Sequence, residues 1–264
     1  MTSKATLRRH FNEVTRLEQR QATRVGRVLA EARNELAERL AKGAASSSAG
    51  YYLREWEAIA ALLPEKAREA YEVELIAEGG TGQALDQLRE SMPANTSLGS
   101  FRPFVSPTLL AVEADDFTRR ISDVAASTRS DIDRAIRLGL ANGEGTAQLQ
   151  ARVLGEGIRG RNGRDGVFRS ARYRSEMIAR TGANEVTNKA KHLTYQQYDT
   201  ESPGLTVRKG WYNISDSRSS DVCLALNGQW RLLHESFSAM GGSWKQPPSH
   251  PQCRSTLIVE VKRD

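Results

Sequence analysis

Leu7, Phe11, Val14, Leu17, Ala22, Val25, Val28, Leu29, Ala32, Leu36 and Leu40 recur at intervals mostly of three and four, with arginines and glutamates between them and no proline to interrupt. That period marks one face of an α-helix. It predicts a single amphipathic helix over residues 4–43, which at 1.5 Å per residue reaches roughly 60 Å. A helix of that length leaves two arrangements. The apolar stripe is the seam of an arm that docks on another subunit, or it belongs to the core of a bundle. We adopt the first and read residues 1–43 as a helical arm for oligomerisation or docking.

Residues 44–50, within the run GAASSSAG, read as a flexible linker by composition. Helical periodicity resumes at Tyr51 and stops at Pro64. A further helix is expected over about 65–77, then a break at Gly79-Gly80-Thr81-Gly82, then a shorter helix to Met92. The stretch 93–107 carries prolines and serines and is the best boundary in the chain. From Leu109 a second helical stripe runs through Ile121, Val124, Ile132 and Ile136 to a glycine stop at 143–145. Thr146 is read as the cap of a short helix to Leu154. A loop rich in glycine and arginine follows to Arg174, and a last long helix covers 175–198. Only then does the period change to alternation, over Leu205–Ile214, Gln229–Leu233 and Ser255–Val261. Asn227-Gly228 is read as a hairpin turn before the second strand. The expected fold is mostly helical α+β: a long N-terminal helical arm, a helical middle, and a small antiparallel sheet packed on helices at the C-terminus. The expected divisions are 1–43, 44–50, 51–107 and 108–264.

Lysine and arginine number 38 against 32 aspartates and glutamates, a net charge of +6, which points to an acidic partner, nucleic acid first. The arginines that carry this expectation are Arg159, Arg161, Arg164, Arg169, Arg172 and Arg174. Glycines around them would let backbone approach phosphate, and binding of that kind would be unspecific and salt-dependent. A solvated loop, or a loop docked on an acidic protein surface, is the competing reading. No run is apolar enough to span a bilayer, and the opening MTSKATLRRHFNEV has no apolar segment of the secretory kind. Synthesis in a host cytoplasm and no membrane partner are therefore expected.

Both cysteines lie in the final quarter, one in each of two turns: Asp216-Ser217-Arg218 leading to Cys223 and Gly228, and Pro247-Pro248-Ser249-His250-Pro251-Gln252-Cys253-Arg254. We read these turns as fastened to each other in a structural knot made by Asp216, Arg218, Cys223, Gly228, His250, Cys253 and Arg254. Asp216 and Arg218 would pair with Arg254 and with backbone amides, a geometry that guanidinium and carboxylate fix well. Arg180 and Asn188, on one helix face, would reach the knot and satisfy its carbonyls. The sulfurs have three open readings. Zinc would use Cys223, His250 and Cys253, with His234 or Asp216 as fourth ligand. A Cys223–Cys253 disulfide would contribute roughly 3–4 kcal/mol through loop closure. Two buried thiols packed side by side are the third. No catalytic residue is assigned, because no second carboxylate or nucleophile–base pair accompanies Asp216.

These turns resemble the phage Mu F-like head morphogenesis family, also called minor head or minor capsid proteins. The likeness rests on Ala179-Arg180-Thr181 with Asn188, on Trp211 leading to Asp216-Ser217-Arg218, on Cys223 with Leu226-Asn227-Gly228, and on the Pro247–Arg254 loop. It spans about Leu109 to Val261. Gly182 stands where the family usually has glutamate. Ser220 and Ser255 stand where many members carry a second cysteine pair. The resemblance implies a virion component of the head, acting in capsid assembly at or near the portal vertex. Its partners would be the portal protein and other capsid proteins, as an oligomer, with packaged double-stranded DNA as a further contact. It implies no enzyme and no cofactor, with zinc the one open exception. A DNA-binding protein that retains or guides the packaged genome is the alternative function, and a metal-dependent nuclease or toxin-like effector is the third.

Overall fold

The computed structural model describes residues 4–42, 48–155 and 166–263. The helices are α1 (Lys4–Lys42), α2 (Ala49–Ala60), α3 (Leu63–Ala70), α4 (Val73–Ser91), α5 (Pro107–Ala141), α6 (Thr146–Leu154) and α7 (Gly166–Glu201). After them come β1 (Leu205–Tyr212), α8 (Asp221–Leu226), β2 (Trp230–Leu232), β3 (Phe237–Ala239), β4 (Gly242–Trp244) and β5 (Thr256–Arg263). The mostly helical α+β class, the long first helix and the small C-terminal antiparallel sheet are as the sequence predicts. No described helix is long and apolar enough to cross a membrane.

The chain packs as two compact units, Met1–Arg20 with Glu72–Glu113 and Arg180–Asp264, and Gln21–Tyr71 with Ala114–Ala179. These do not follow the divisions drawn from composition, because α1, α5 and α7 each give one segment to each unit. The arm reading of residues 1–43 needs correction for the same reason. Leu7 and Val14 are buried in the first unit, and Ala22, Val25, Leu29, Leu36 and Leu40 in the second. In the first unit α1 is joined to α4 by Arg9–Asp86 at 3.1 Å and by His10, whose ring nitrogens face Gln87 and Asp86. In the second, Arg33 Nε donates to the Leu154 carbonyl at 2.7 Å. The apolar stripe is spent inside the chain, so α1 is a core helix. The linker reading of 44–50 lies mostly outside the described residues. Ser48 caps α2 by accepting from the Tyr51 amide.

Two breaks expected from glycines are absent. Helix α4 runs straight through Gly79, Gly80 and Gly82. A Cβ on Gly80 would sit 2.5 Å from the Thr187 carbonyl oxygen and 3.0 Å from the Ala190 Cβ. The glycine is there so that α4 and α7 can approach backbone to backbone. Asn227-Gly228 does not turn a hairpin either. Asn227 closes α8, and Gly228 follows at φ 80, the left-handed position that suits glycine after a helix. The hairpin turn is instead Met240-Gly241, with φ 49 and 79, between β3 and β4. At α6 the N-cap is Gly145, one residue before Thr146, and its amide is satisfied by the Gln148 side chain.

The sheet of the first unit has strand order β2-β1-β5, antiparallel throughout, with Trp211 opposite Leu257 and Val207 opposite Val261. Trp211, Leu257, Val259 and Val261 share a core with Leu88, Phe101, Tyr195, Leu226 and Phe237. Both cysteines belong to this core. Strand β5 is an edge of the sheet, so its outer amides need partners from elsewhere.

Candidate functional site: the fastening of two turns

Ser220 ends the Asp216 turn and starts α8, its hydroxyl accepting from the Cys223 amide. This places Cys223 in the first turn of α8, facing the core. The second turn closes on itself through the Cys253 amide, which donates to the His250 carbonyl at 3.1 Å. Between the turns, Arg254 grips Asp216 with both terminal nitrogens, the Nη1 contact being 2.8 Å. This fork holds the Asp216 carboxyl well below the usual carboxylate range, with help from the Arg218 amide. The sulfurs of Cys223 and Cys253 are 3.5 Å apart and not bonded. His250 Nε2 lies 3.1 Å from the Cys223 sulfur and 2.8 Å from the Ser220 hydroxyl.

The structure therefore brings together Asp216, Cys223, His250, Cys253 and Arg254. Gly228 ties the far end of α8 to the sheet, its amide donating to the Trp211 carbonyl at 2.8 Å. Arg218 departs from expectation: its amide donates to Asp216 at 3.0 Å, but its side chain is largely exposed and only 3.6 Å from the same carboxylate. His234 is exposed and stands outside the cysteine–histidine group, and Asp216, also outside it, is engaged by Arg254.

The two thiols differ. Cys223 is held below its ordinary range, first by the hydrogen bond shared with Cys253 and then by Ser220 and Ser249 beside it. Cys253 is pushed up by the same shared bond and by burial. Three ligand atoms, two sulfurs and one imidazole nitrogen, lie within 4.8 Å of one another. Their chemistry fits a soft divalent metal such as zinc.

Sequence reasoning named Asn188 as support for this arrangement but missed its partners, and missed Asn184 and Lys191. Asn188 is fully buried, and its Oδ1 accepts from the Leu257 amide at 2.7 Å and from the Thr256 hydroxyl at 3.1 Å. It thus satisfies one amide and one hydroxyl at the open edge of β5, where carbonyls were the expected targets. Asn184 donates to the Ser255 carbonyl at 3.3 Å and to Glu18 at 3.1 Å. Lys191, also fully buried, donates to Thr256 at 2.7 Å, and burial pushes its amine down to about 7. Asn184, Asn188 and Lys191 recur on one helix face at intervals of four and three, a polar stripe inside α7 that could have signalled a buried polar partner.

Arg180 is exposed, and with Glu18, Arg218, His250 and Arg254 it lines a cavity of about 320 Å³. Burial raises the Glu18 carboxyl to about 7, against the Asn184 hydrogen bond and the nearby Arg180 and Arg254. Between its ordinary 4.5 and about 7, the folded chain keeps this proton and the unfolded chain releases it. Stability from this group is therefore complete below pH 4.5 and is lost as pH rises through 7. Glu18→Gln is expected to flatten that slope and to gain on the order of 3 kcal/mol relative to the parent between pH 5 and pH 8. Urea midpoints at the two pH values check it, and parallel losses in both proteins would refute it.

Of the six arginines expected to meet nucleic acid, Arg159, Arg161 and Arg164 lie outside the described residues. Arg169, Arg172 and Arg174 are on α7 and not in a loop, because Phe168, Ala171 and Ser175 bury one helical face. Arg172 pairs with Glu176 at 2.8 Å and Arg174 with Asp131 at 3.2 Å. These two guanidiniums pair with carboxylates of their own chain.

Residues 130–258, just under half of the chain, match the family described as Phage Mu protein F like protein. The segment is similar to that family. The match takes in both turns, α8 and the first three residues of β5, so the fastening lies wholly within the matched region. No curated protein and no solved structure matches the chain.

Proposed function

We propose that this protein is a structural component of the phage head, a minor head protein that acts in capsid assembly at or near the portal vertex. The family match supports a phage protein related to the head. The observation that carries the structural role is where the polar chemistry goes. Asp216 is consumed by Arg254, Asn188 by the edge of β5, and both cysteines are 2% exposed. Groups spent this way hold two turns in register and present a stiff surface. The partners are then other head proteins, the portal ring first, and the protein resides in the virion. Expression in the host with its portal and capsid proteins, followed by density-gradient purification of heads, tests the proposal. The protein should sediment with the heads and localise to one vertex by cryo-electron microscopy. Heads that assemble normally and lack it, with the protein left in the soluble fraction, would overturn the reading.

A further inference from the structure

We propose that Cys223, His250 and Cys253 hold one zinc ion, with a water molecule completing a tetrahedron. With zinc–sulfur bonds of about 2.3 Å and zinc–nitrogen bonds of about 2.0 Å, a tetrahedral site has edges of about 3.8 Å between sulfurs and about 3.5 Å between sulfur and nitrogen. Here the corresponding separations are 3.5 Å and, for Cys223 with His250, 3.1 Å. Those two edges reach tetrahedral length if the atoms spread by a few tenths of an ångström, and the third, between Cys253 and His250, lies within 4.8 Å.

The imidazole is already set for the task. His250 Nδ1 lies 2.7 Å from the Pro251 carbonyl, which can only accept. Nδ1 therefore carries the proton, and Nε2 turns its lone pair towards the sulfurs. A backbone carbonyl behind a ligating histidine is the usual support for a metal-bound imidazole. The donor set selects the metal: two sulfurs and an imidazole, with no carboxylate in the group, favour zinc over calcium or magnesium. Ser249 Oγ is 3.4 Å from the Cys223 sulfur and Ser220 Oγ is 2.8 Å from Nε2. These hydroxyls line the site beside the ligand atoms. The ligands come from two turns already joined by Asp216 and Arg254, so the ion adds a second clamp to the same fastening. The site stands independently of the head-assembly role.

The test uses the full chain, reduced and stripped with chelator, titrated with zinc against a chromophoric competitor and separately with cobalt. One equivalent of each should bind. The cobalt form should show intense visible bands of tetrahedral geometry and near-ultraviolet thiolate charge transfer. Cys253→Ser should weaken zinc binding by at least about 100-fold, since losing a ligand costs more than losing its support. His234→Ala should leave it unchanged. If the parent protein with excess cobalt shows no tetrahedral thiolate spectrum, the proposal is overturned, whatever the stability of the variants. Unchanged zinc affinity in Cys253→Ser would overturn it equally.

Discussion

Asn188→Ala is expected to destabilise the protein by about 3 kcal/mol, because it strands buried donors that cost about 1–3 kcal/mol each when left unpaired. The Leu257 amide sits on the open edge of β5, 2.7 Å from the Asn188 oxygen, and the Thr256 hydroxyl is 3.1 Å from the same atom. Truncation removes their acceptor at a position that is fully buried. It also removes the bond from the Asn188 amide to the Asn184 carbonyl at 2.9 Å. For a chain of this size the thermal midpoint should fall by about 6–12 °C. Hydrogen exchange gives the more specific reading: protection of the Leu257 amide should collapse while that of the β1–β2 ladder changes less. A loss below about 1 kcal/mol with Leu257 still protected would mean that water or another side chain fills the role.

Gly80 and Gly82 should respond with opposite signs to added side-chain atoms. A Cβ at Gly82 meets nothing within 4 Å, so Gly82→Ala should stabilise α4 by about 0.5–1 kcal/mol through helix propensity. A Cβ at Gly80 meets the backbone of α7 at 2.5 Å, and backbone cannot swing aside as a side chain can. Gly80→Val should therefore cost about 3 kcal/mol or more by overpacking. Denaturant midpoints of the two variants, measured side by side, are the check. If both substitutions stabilise, α4 and α7 are not in backbone contact, and the seat of Asn188 against β5 is open to revision.

Those two residues show where reading the chain from its sequence stops. Composition treats Gly79-Gly80-Thr81-Gly82 as a breaker, since glycine is costly in a helix interior. What reverses that expectation is a second helix more than a hundred positions away in sequence, packed so closely that only hydrogen fits. Asn188 is similar. On helical spacing it belongs to the turns, but its actual partner is an unpaired, buried strand edge, which exists only once β5 has paired with β1.

Much else was decided locally. The three-and-four period of α1, the alternation of β1 and β5, and the gathering of both cysteines with Asp216, His250 and Arg254 into two turns are written in the order of residues, because periodicity and turn chemistry act over a few neighbours. Whether the stripe on α1 faces a partner or its own chain is not local, since an apolar face is satisfied equally by either. The same holds for Arg172 and Arg174, whose charge reads as free until Glu176 and Asp131 are placed beside them. Sequence by itself determined the class of fold and the two turns that meet. Tertiary packing alone decided which polar groups are spent within the chain, because burial and pairing depend on surfaces that distant segments build together.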